Sequence, residues 1–441
     1  MDRLIMVSDK KRLQAPRGMR DILPKDSHVM KKIRDACFEV ARTFDYHEIT
    51  TPIVEDIGVF SRTVGEESDL LQKEMYVFED RGGEPLALRP ENTAGVGRAY
   101  IEHGMKSQAQ PVRLCYFGSF FRYDRPQAGR YRQLTQFGVE AIGSKSPSLD
   151  SEVINLQSNL YQALGLKGLR LSINSIGTGA TRGRFITAFS DYLQEYREKL
   201  SPESQARLVT NPLRILDSKL ETDQAIIADA PKILDYLDDD ETKHFSSVLR
   251  DLDSLGIEYV IDNSIVRGLD YYTHTVWEFE PESGGGQSTI GGGGRYDGLL
   301  EQLGGDPTPG VGFATGIERI ILNMVEQNLV EESIPKPDIF IIPVSELGHE
   351  MLLGITNDIR KLGVSVRSGE SGRSVKALMR AANSSDAGIA ILAGDSEAAE
   401  GKVTVKYLRE SEGNIGNVKV ELSELVPLIQ KVMDLDLDMP S

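Results

Sequence analysis

Two long strand-like runs, VRLCYFGSFFRY (112–123) and RQLTQFGVEAIG (132–143), flank a loop rich in arginine, proline and glycine. Extended apolar and aromatic runs joined by turn residues are the signature of a long hairpin. Two strands joined in this way run antiparallel to each other. The loop and its flanks are charged in one sense. Residues 113–132 hold Arg113, Arg122, Arg125, Arg130 and Arg132 against Asp124 alone. A second basic island, 360–380, holds Arg360, Lys361, Arg367, Arg373, Lys376 and Arg380 against Glu370. The chain as a whole carries −17, which argues against a basic coat for nucleic acid. Two local islands in an acidic chain suggest two specific anion contacts, although a charge count by itself favours solvated surface.

The 441 residues are enough for two or three domains of ordinary size. Met30, Ile33, Cys37, Val40, Ala41 and Phe44 recur at helical spacing behind the start signals Pro24, Asp26 and Ser27. Strand-like pieces follow at 47–56, 74–80, 85–90 and 169–177. From 178 to 256 the chain turns charged and helical in period, which reads as an inserted helical subdomain. Strands resume at 257–266 and 274–280, a glycine-rich bend covers 284–294, RYDGLLEQLGG reads as helical, and 310–327 reads as strand, glycine turn and helix. SIPKPD (333–338) marks a linker. Beyond it, 339–441 alternates strand and helix as a separate small α/β domain.

Cys37 and Cys115 both lie in apolar runs, so a disulfide framework is not expected and a reducing compartment is. No apolar run approaches the ~20 residues of a membrane span, and residues 1–14 hold no signal-peptide core. These features read as a cytoplasmic protein without membrane contact.

Familiar chemical motifs are missing. There is no GxxxxGK[ST] loop, and the six histidines are scattered instead of grouped at metal spacing. GVGFATG departs from the dinucleotide pattern, and no motif supports a nucleophilic Ser or Cys. What remains are arginines embedded in strand and helix patterns: Arg122, Arg267 and Arg319. Each taken singly could pair with a nearby carboxylate. Three of them around glycine-rich backbone suit a bent triphosphate.

The motifs now make a pattern. RGMRDILP (17–24), FDYHEITTPIVED (44–56), FRYDRPQAGRYRQ (121–133) and GFATGIERI (312–320) resemble the N-terminal signature and motifs 1, 2 and 3 of the class II aminoacyl-tRNA synthetases. VRGLDYY (266–272), GGGGRYDGL (291–299) and LRPENTAG (88–95) are similar to segments of the histidyl-tRNA synthetase family. The resemblance covers nearly the whole chain. It implies an antiparallel-sheet catalytic domain over 1–177 and 257–332, the helical insertion at 178–256, and an anticodon-binding domain at 339–441.

The resemblance also implies roles. Arg122 and Arg267 would be catalytic, holding the α-phosphate of ATP and the histidine carboxylate. Arg130, Tyr131, Glu318 and Arg319 would complete the ATP site. Glu91, Thr93, Gln136, Glu140, Tyr271, Tyr272 and Tyr296 would line the L-histidine pocket with Arg122 and Arg267. Arg125 and Gln127 would meet the acceptor end of tRNA(His). Magnesium would bridge phosphate oxygens, no metal would have a dedicated protein site, and Pro52 would sit at the interface of a homodimer. Departures from the family pattern stand at Asp124, Leu134, Thr135, His274 and 377–380. Two other readings are a catalytically silent relative, the regulatory subunit of ATP phosphoribosyltransferase, and a sensor of uncharged tRNA. The first typically lacks the C-terminal domain and the histidine-box arginine, and the second is normally fused to a kinase.

Overall fold

A computed structural model describes residues 12–63, 70–125, 129–265, 271–282, 289–330, 335–409 and 417–437. Arg267, Gln127 and the first two residues of the expected linker lie outside the described residues. The chain forms two compact units, 1–331 and 332–441.

The first unit is built on an eight-stranded sheet. Its order is His47–Glu48, Val112–Phe121, Gln133–Ile142, Gly310–Gly316, Gly291–Arg295, Thr273–Pro281, Leu169–Ser175, Tyr259–Ile261. The six inner strands run antiparallel, and each outermost strand is added parallel to its neighbour. The long hairpin is in register from Val112↔Ile142 to Phe121↔Gln133. Helix Pro24–Thr43 buries Val29, Ile33, Cys37 and Ala41. This stripe joins Phe137, Val139, Phe313 and Trp277 in one core, as the three-and-four spacing requires.

Three expectations are corrected. HEITTPIVED is not one strand: only His47–Glu48 and Val54–Asp56 pair, in different sheets. Pro52 has no N–H for a ladder, and the break is held by Arg89, which donates to the Thr51 carbonyl at 3.0 Å. The stretch 257–266 contributes only Tyr259–Ile261. The glycine run is not a bend where it is described, because Gly291–Arg295 is a buried inner strand. Side chains are excluded there because neighbours already fill the space. A Cβ on Gly293 would stand 2.1 Å from the Gly312 carbonyl oxygen and 2.7 Å from the Trp277 ring.

Residues 178–256 contain helices Gly179–Glu195, Pro202–Thr210, Glu221–Ile227 and Asp239–Leu255, joined by short 3-10 turns and no strand. Phe185, Phe189, Ile215 and Leu216 share a core with Tyr116, Phe120, Tyr272 and Tyr296. The helical segment is therefore packed onto the sheet and belongs to the same compact unit.

The second unit is a five-stranded sheet in the order Val366–Ser368, Ile339–Pro343, Ile389–Ala393, Lys402–Tyr407, Val418–Glu421. Ile339 and Ile341 bury into one apolar cluster, Phe340 and Ile342 into another. Both faces are covered, as a sheet with a parallel centre requires. Helix Asp395–Glu400 and strand Val418–Glu421 are absent from the sequence reading. Six and four residues, half of them charged, are too short for a period to be read.

Candidate active site

Glu140 lies in the second hairpin strand with its side chain 1% exposed. Three hydroxyls donate to its carboxylate: Tyr296 at 2.5 Å, Thr93 at 2.9 Å and Tyr116 at 3.3 Å. These donors favour the anion, yet burial outweighs them and pushes the carboxyl up to about 8. Tyr116 comes from the facing strand, where it pairs with Gly138, two residues from Glu140 and on the same face. Gly312 pairs with Glu140 on the other side. A Cβ there would stand 2.0 Å from the Glu140 Oε2 atom, so only glycine leaves room for the carboxylate.

The three hydroxyl partners of Glu140, Thr93, Tyr116 and Tyr296, line a cavity of about 490 Å³, while Glu140 itself lies behind them and is not among the lining residues. Thr93 stands at the start of helix Thr93–Glu102. Glu91 accepts the backbone N–H groups of Thr93 and Ala94 at 2.6 and 3.1 Å, and burial raises its carboxyl. The Tyr271 and Tyr272 rings are 4.7 Å apart, and Tyr296 meets Tyr271 edge-on at 6.0 Å. Gln136 also lines the cavity. Its buried Oε1 has no partner among the described residues, an acceptor left open toward a ligand.

The other side of the cavity is cationic. Arg122, Arg130, Arg319 and Arg214 line it with Tyr131, Asp124 and Glu278. Arg122 closes the end of the hairpin: its N–H donates to the Arg132 carbonyl at 2.9 Å and its Nε to the Pro90 carbonyl at 2.9 Å. Arg130 stands 3.5 Å from Asp124. Arg319 donates Nη1 to the Thr289 carbonyl. Burial, then the charge of Arg130, lowers the Arg319 guanidinium below its ordinary value. Like charges held together in a half-buried pocket favour an anionic ligand.

Several expected site residues carry structural duties. Glu318 also lines the cavity, but both its oxygens accept the Thr135 N–H at 3.0 Å, tying the motif-3 helix to the hairpin. Tyr131 lies under the Arg20 guanidinium at 4.7 Å. Of the first basic island, Arg113 is paired with Glu152 at 2.9 Å and Arg132 covers the Tyr123 ring at 3.6 Å. Both are therefore accounted for by structure. Arg125 is exposed and not among the residues that line the cavity. The sequence reading overlooked Tyr116, Arg214 and Glu278. Strand alternation from Glu140 points to Tyr116, whereas nothing local distinguishes Arg214.

Six antiparallel inner strands with a cavity lined by arginines, tyrosines and Glu91 are the fold and site of a class II aminoacyl-tRNA synthetase. A model of the family described as histidyl-tRNA synthetase matches residues 18–180 and 187–320, and one described as anticodon binding domain matches 338–432. A histidine–tRNA ligase of Dehalococcoides mccartyi is 44% identical over 418 residues, covering 95% of this chain and 99% of the relative. The chain belongs to the histidyl-tRNA synthetase family. The apo histidyl-tRNA synthetase of S. aureus superposes with a TM-score of 0.78 at 36% identity, covering 95% of this chain and 99% of that one. A Bacillus halodurans C structure described as an ATP phosphoribosyltransferase regulatory subunit/histidyl-tRNA synthetase is more distant. It has a TM-score of 0.61 at 26% identity, covering 84% of this chain and 97% of that one.

Proposed function

We propose that the chain activates L-histidine with ATP and transfers it to the 3′ end of tRNA(His). The observation that carries this reading is one cavity with two chemistries: hydroxyls of Thr93, Tyr116 and Tyr296, each bonded to the buried Glu140 carboxylate behind them, and a cluster of guanidiniums beside them. An imidazole presents two distinguishable nitrogens. Glu140 accepts from one while Tyr296, Thr93 and Gln136 fix the geometry, and a substrate that leaves Glu140 unpaired is penalised. Glu91, Tyr271 and Tyr272 hold the remainder of the amino acid.

In the first step a histidine carboxylate oxygen attacks the α-phosphorus and the bond to the β-phosphate oxygen breaks, releasing pyrophosphate. Arg122 neutralises charge at the α-phosphate, and Arg319 and Arg130 hold the outer phosphates beside Tyr131. By the family resemblance, Arg267 would add a second positive charge at the α-phosphate. In the second step a terminal ribose hydroxyl of tRNA attacks the histidyl carbonyl and AMP leaves. Positioning and charge stabilisation carry most of the rate. Arg125 and Gln127 meet the acceptor end.

Magnesium enters with ATP. Among the described residues no three acidic or histidine side chains form a metal cage, while Asp124 and Glu278 line the cavity. One or two carboxylates plus phosphate oxygens are the usual magnesium ligands. A homodimer is supported by apolar surface around motif 1, where Ile53, Val54, Val77 and Phe78 are exposed. A cytoplasmic location is supported by Cys37 and Cys115, two free thiols within one core. The regulatory-subunit reading is disfavoured by the C-terminal unit and by the intact polar ring around Glu140.

Histidine-driven ATP–pyrophosphate exchange tests the proposal. Exchange that requires histidine and magnesium supports it; its absence from pure, folded protein rejects it.

A further inference from the structure

We infer that Arg214, presented by the helical segment, is a phosphate-contacting residue of the active site. The inference rests on the proposed reaction and adds a residue that the hairpin and motif-3 arginines do not include. Arg214 belongs to the 3-10 turn Pro212–Ile215. It is half-buried and lines the same cavity as Arg122, Arg130, Arg319 and Glu278.

The turn that carries Arg214 is held from several directions. Its own N–H donates to the Asn211 carbonyl at 3.1 Å, and its carbonyl accepts from Arg207 Nη1 at 3.3 Å. The next two residues, Ile215 and Leu216, are 0% and 5% exposed in the core that also contains Tyr116, Tyr271, Tyr272 and Tyr296. Just beyond, Ser218 donates Oγ to Asp223 at 2.7 Å. Asp223 is 0% exposed. It also takes the Ser201 N–H and Oγ at 2.8 Å each and the Ser204 Oγ at 2.7 Å. A fully buried carboxylate with four donors fixes the loop that delivers the arginine. An arginine placed on the rim for solubility alone would not need such anchoring. A guanidinium costs less to hold in a cavity with three others when an anion occupies it.

The shared chemistry is a phosphoryl oxygen, supplied either by the outer phosphates of ATP or by the 3′-terminal phosphodiesters of tRNA. The alternative is a purely structural role, Arg214 bracing the helical segment through its charge beside Glu278 and Asp217. Purified Arg214→Gln and Arg214→Lys proteins separate these. Their melting temperatures are recorded beside the wild type, with ATP affinity by calorimetry, exchange kinetics, and single-turnover transfer from preformed histidyl-adenylate. Histidine-dependent exchange by the wild type tests the underlying reaction independently.

The expected result is a loss of tenfold or more for Arg214→Gln at unchanged melting temperature, with Arg214→Lys between it and the wild type. A raised ATP KM with weaker ATP binding and normal transfer assigns the contact to ATP. A loss confined to transfer assigns it to the tRNA terminus. Changes within twofold in both steps overturn the inference. So does a loss that follows a lowered melting temperature equally in both variants.

Discussion

Tyr296, the residue after strand Gly291–Arg295, donates its hydroxyl to Glu140 at 2.5 Å across the strand Gly310–Gly316, which lies between that strand and the one carrying Glu140. The contact exists because that intervening strand carries glycine where the side chains cross. A Cβ on Gly310 would stand 2.2 Å from the Tyr296 ring, and one on Gly312 2.0 Å from the Glu140 carboxylate. The start of motif 3 thus serves the amino-acid pocket as well as the nucleotide.

Gly312→Ala is expected to displace the Glu140 carboxylate and break its contact with Tyr296. Misplacement of about 1 Å costs on the order of 100-fold, so kcat/KM for histidine should fall at least tenfold. ATP affinity, read by calorimetry, should stay within threefold. Steady-state exchange kinetics check the split.

Glu140→Gln should raise the histidine KM tenfold or more and also stabilise the fold in a pH-dependent way. The folded carboxyl titrates at about 8 against an ordinary value of 4.5. Below 4.5 both folded and unfolded chains keep the proton, and stability is unaffected. From 4.5 to about 8 the unfolded chain releases the proton while the folded chain holds it, so the wild type loses stability as pH rises. The variant has no such loss. Its melting temperature should match the wild type near pH 4.5 and exceed it by roughly 5 °C at pH 8. Thermal melts across that range decide the matter.

Asp150→Asn should destabilise the first unit by about 3 kcal/mol, the scale for breaking a buried ion pair from one side. Asp150 and Arg295 are both 0% exposed and paired, and Asp150 also accepts from Thr275 at 2.7 Å. His244 reaches the same carboxylate at 2.8 Å from the helical segment, and Asp297 holds Arg295 at 3.1 Å. Denaturant unfolding measures the loss. Because Arg295 precedes Tyr296, a weaker histidine affinity should accompany it.

These residues show what was legible in the chain. The hairpin, the helix Pro24–Thr43 and most of the C-terminal strands follow from period and turn residues. Period and turn residues do not bring Arg122 and Arg319 together; the resemblance of their motifs implies it, and both line one cavity. The glycine run 291–294 was misread as a bend because glycine breaks isolated strands. Its place in the sheet is set by Trp277, Tyr272 and Phe313 crowding in from other segments. Arg214 and Glu278 were overlooked for a related reason. Their meeting depends on how the helical segment docks on the sheet, and no local pattern encodes that.

Arg125→Ala should leave histidine-dependent exchange within twofold and raise the KM for tRNA fivefold or more. Arg125 is exposed at the tip of the hairpin, and only its backbone N–H, bonded to Asp124 at 2.6 Å, is engaged among the described residues. Aminoacylation kinetics against a fixed saturating ATP concentration test this. An equal loss in both assays would place the residue in the activation step.

The central claim is that one cavity holds an imidazole against Glu140 and a nucleotide against the guanidiniums beside it. A crystal structure with histidine and a non-hydrolysable ATP analogue measures this directly. The account predicts an imidazole nitrogen within hydrogen-bond reach of the Glu140 carboxylate and the α-phosphate beside Arg122, with Arg319 on the outer phosphates. Histidine bound away from Glu140, or a nucleotide that avoids Arg122 and Arg319, would contradict it.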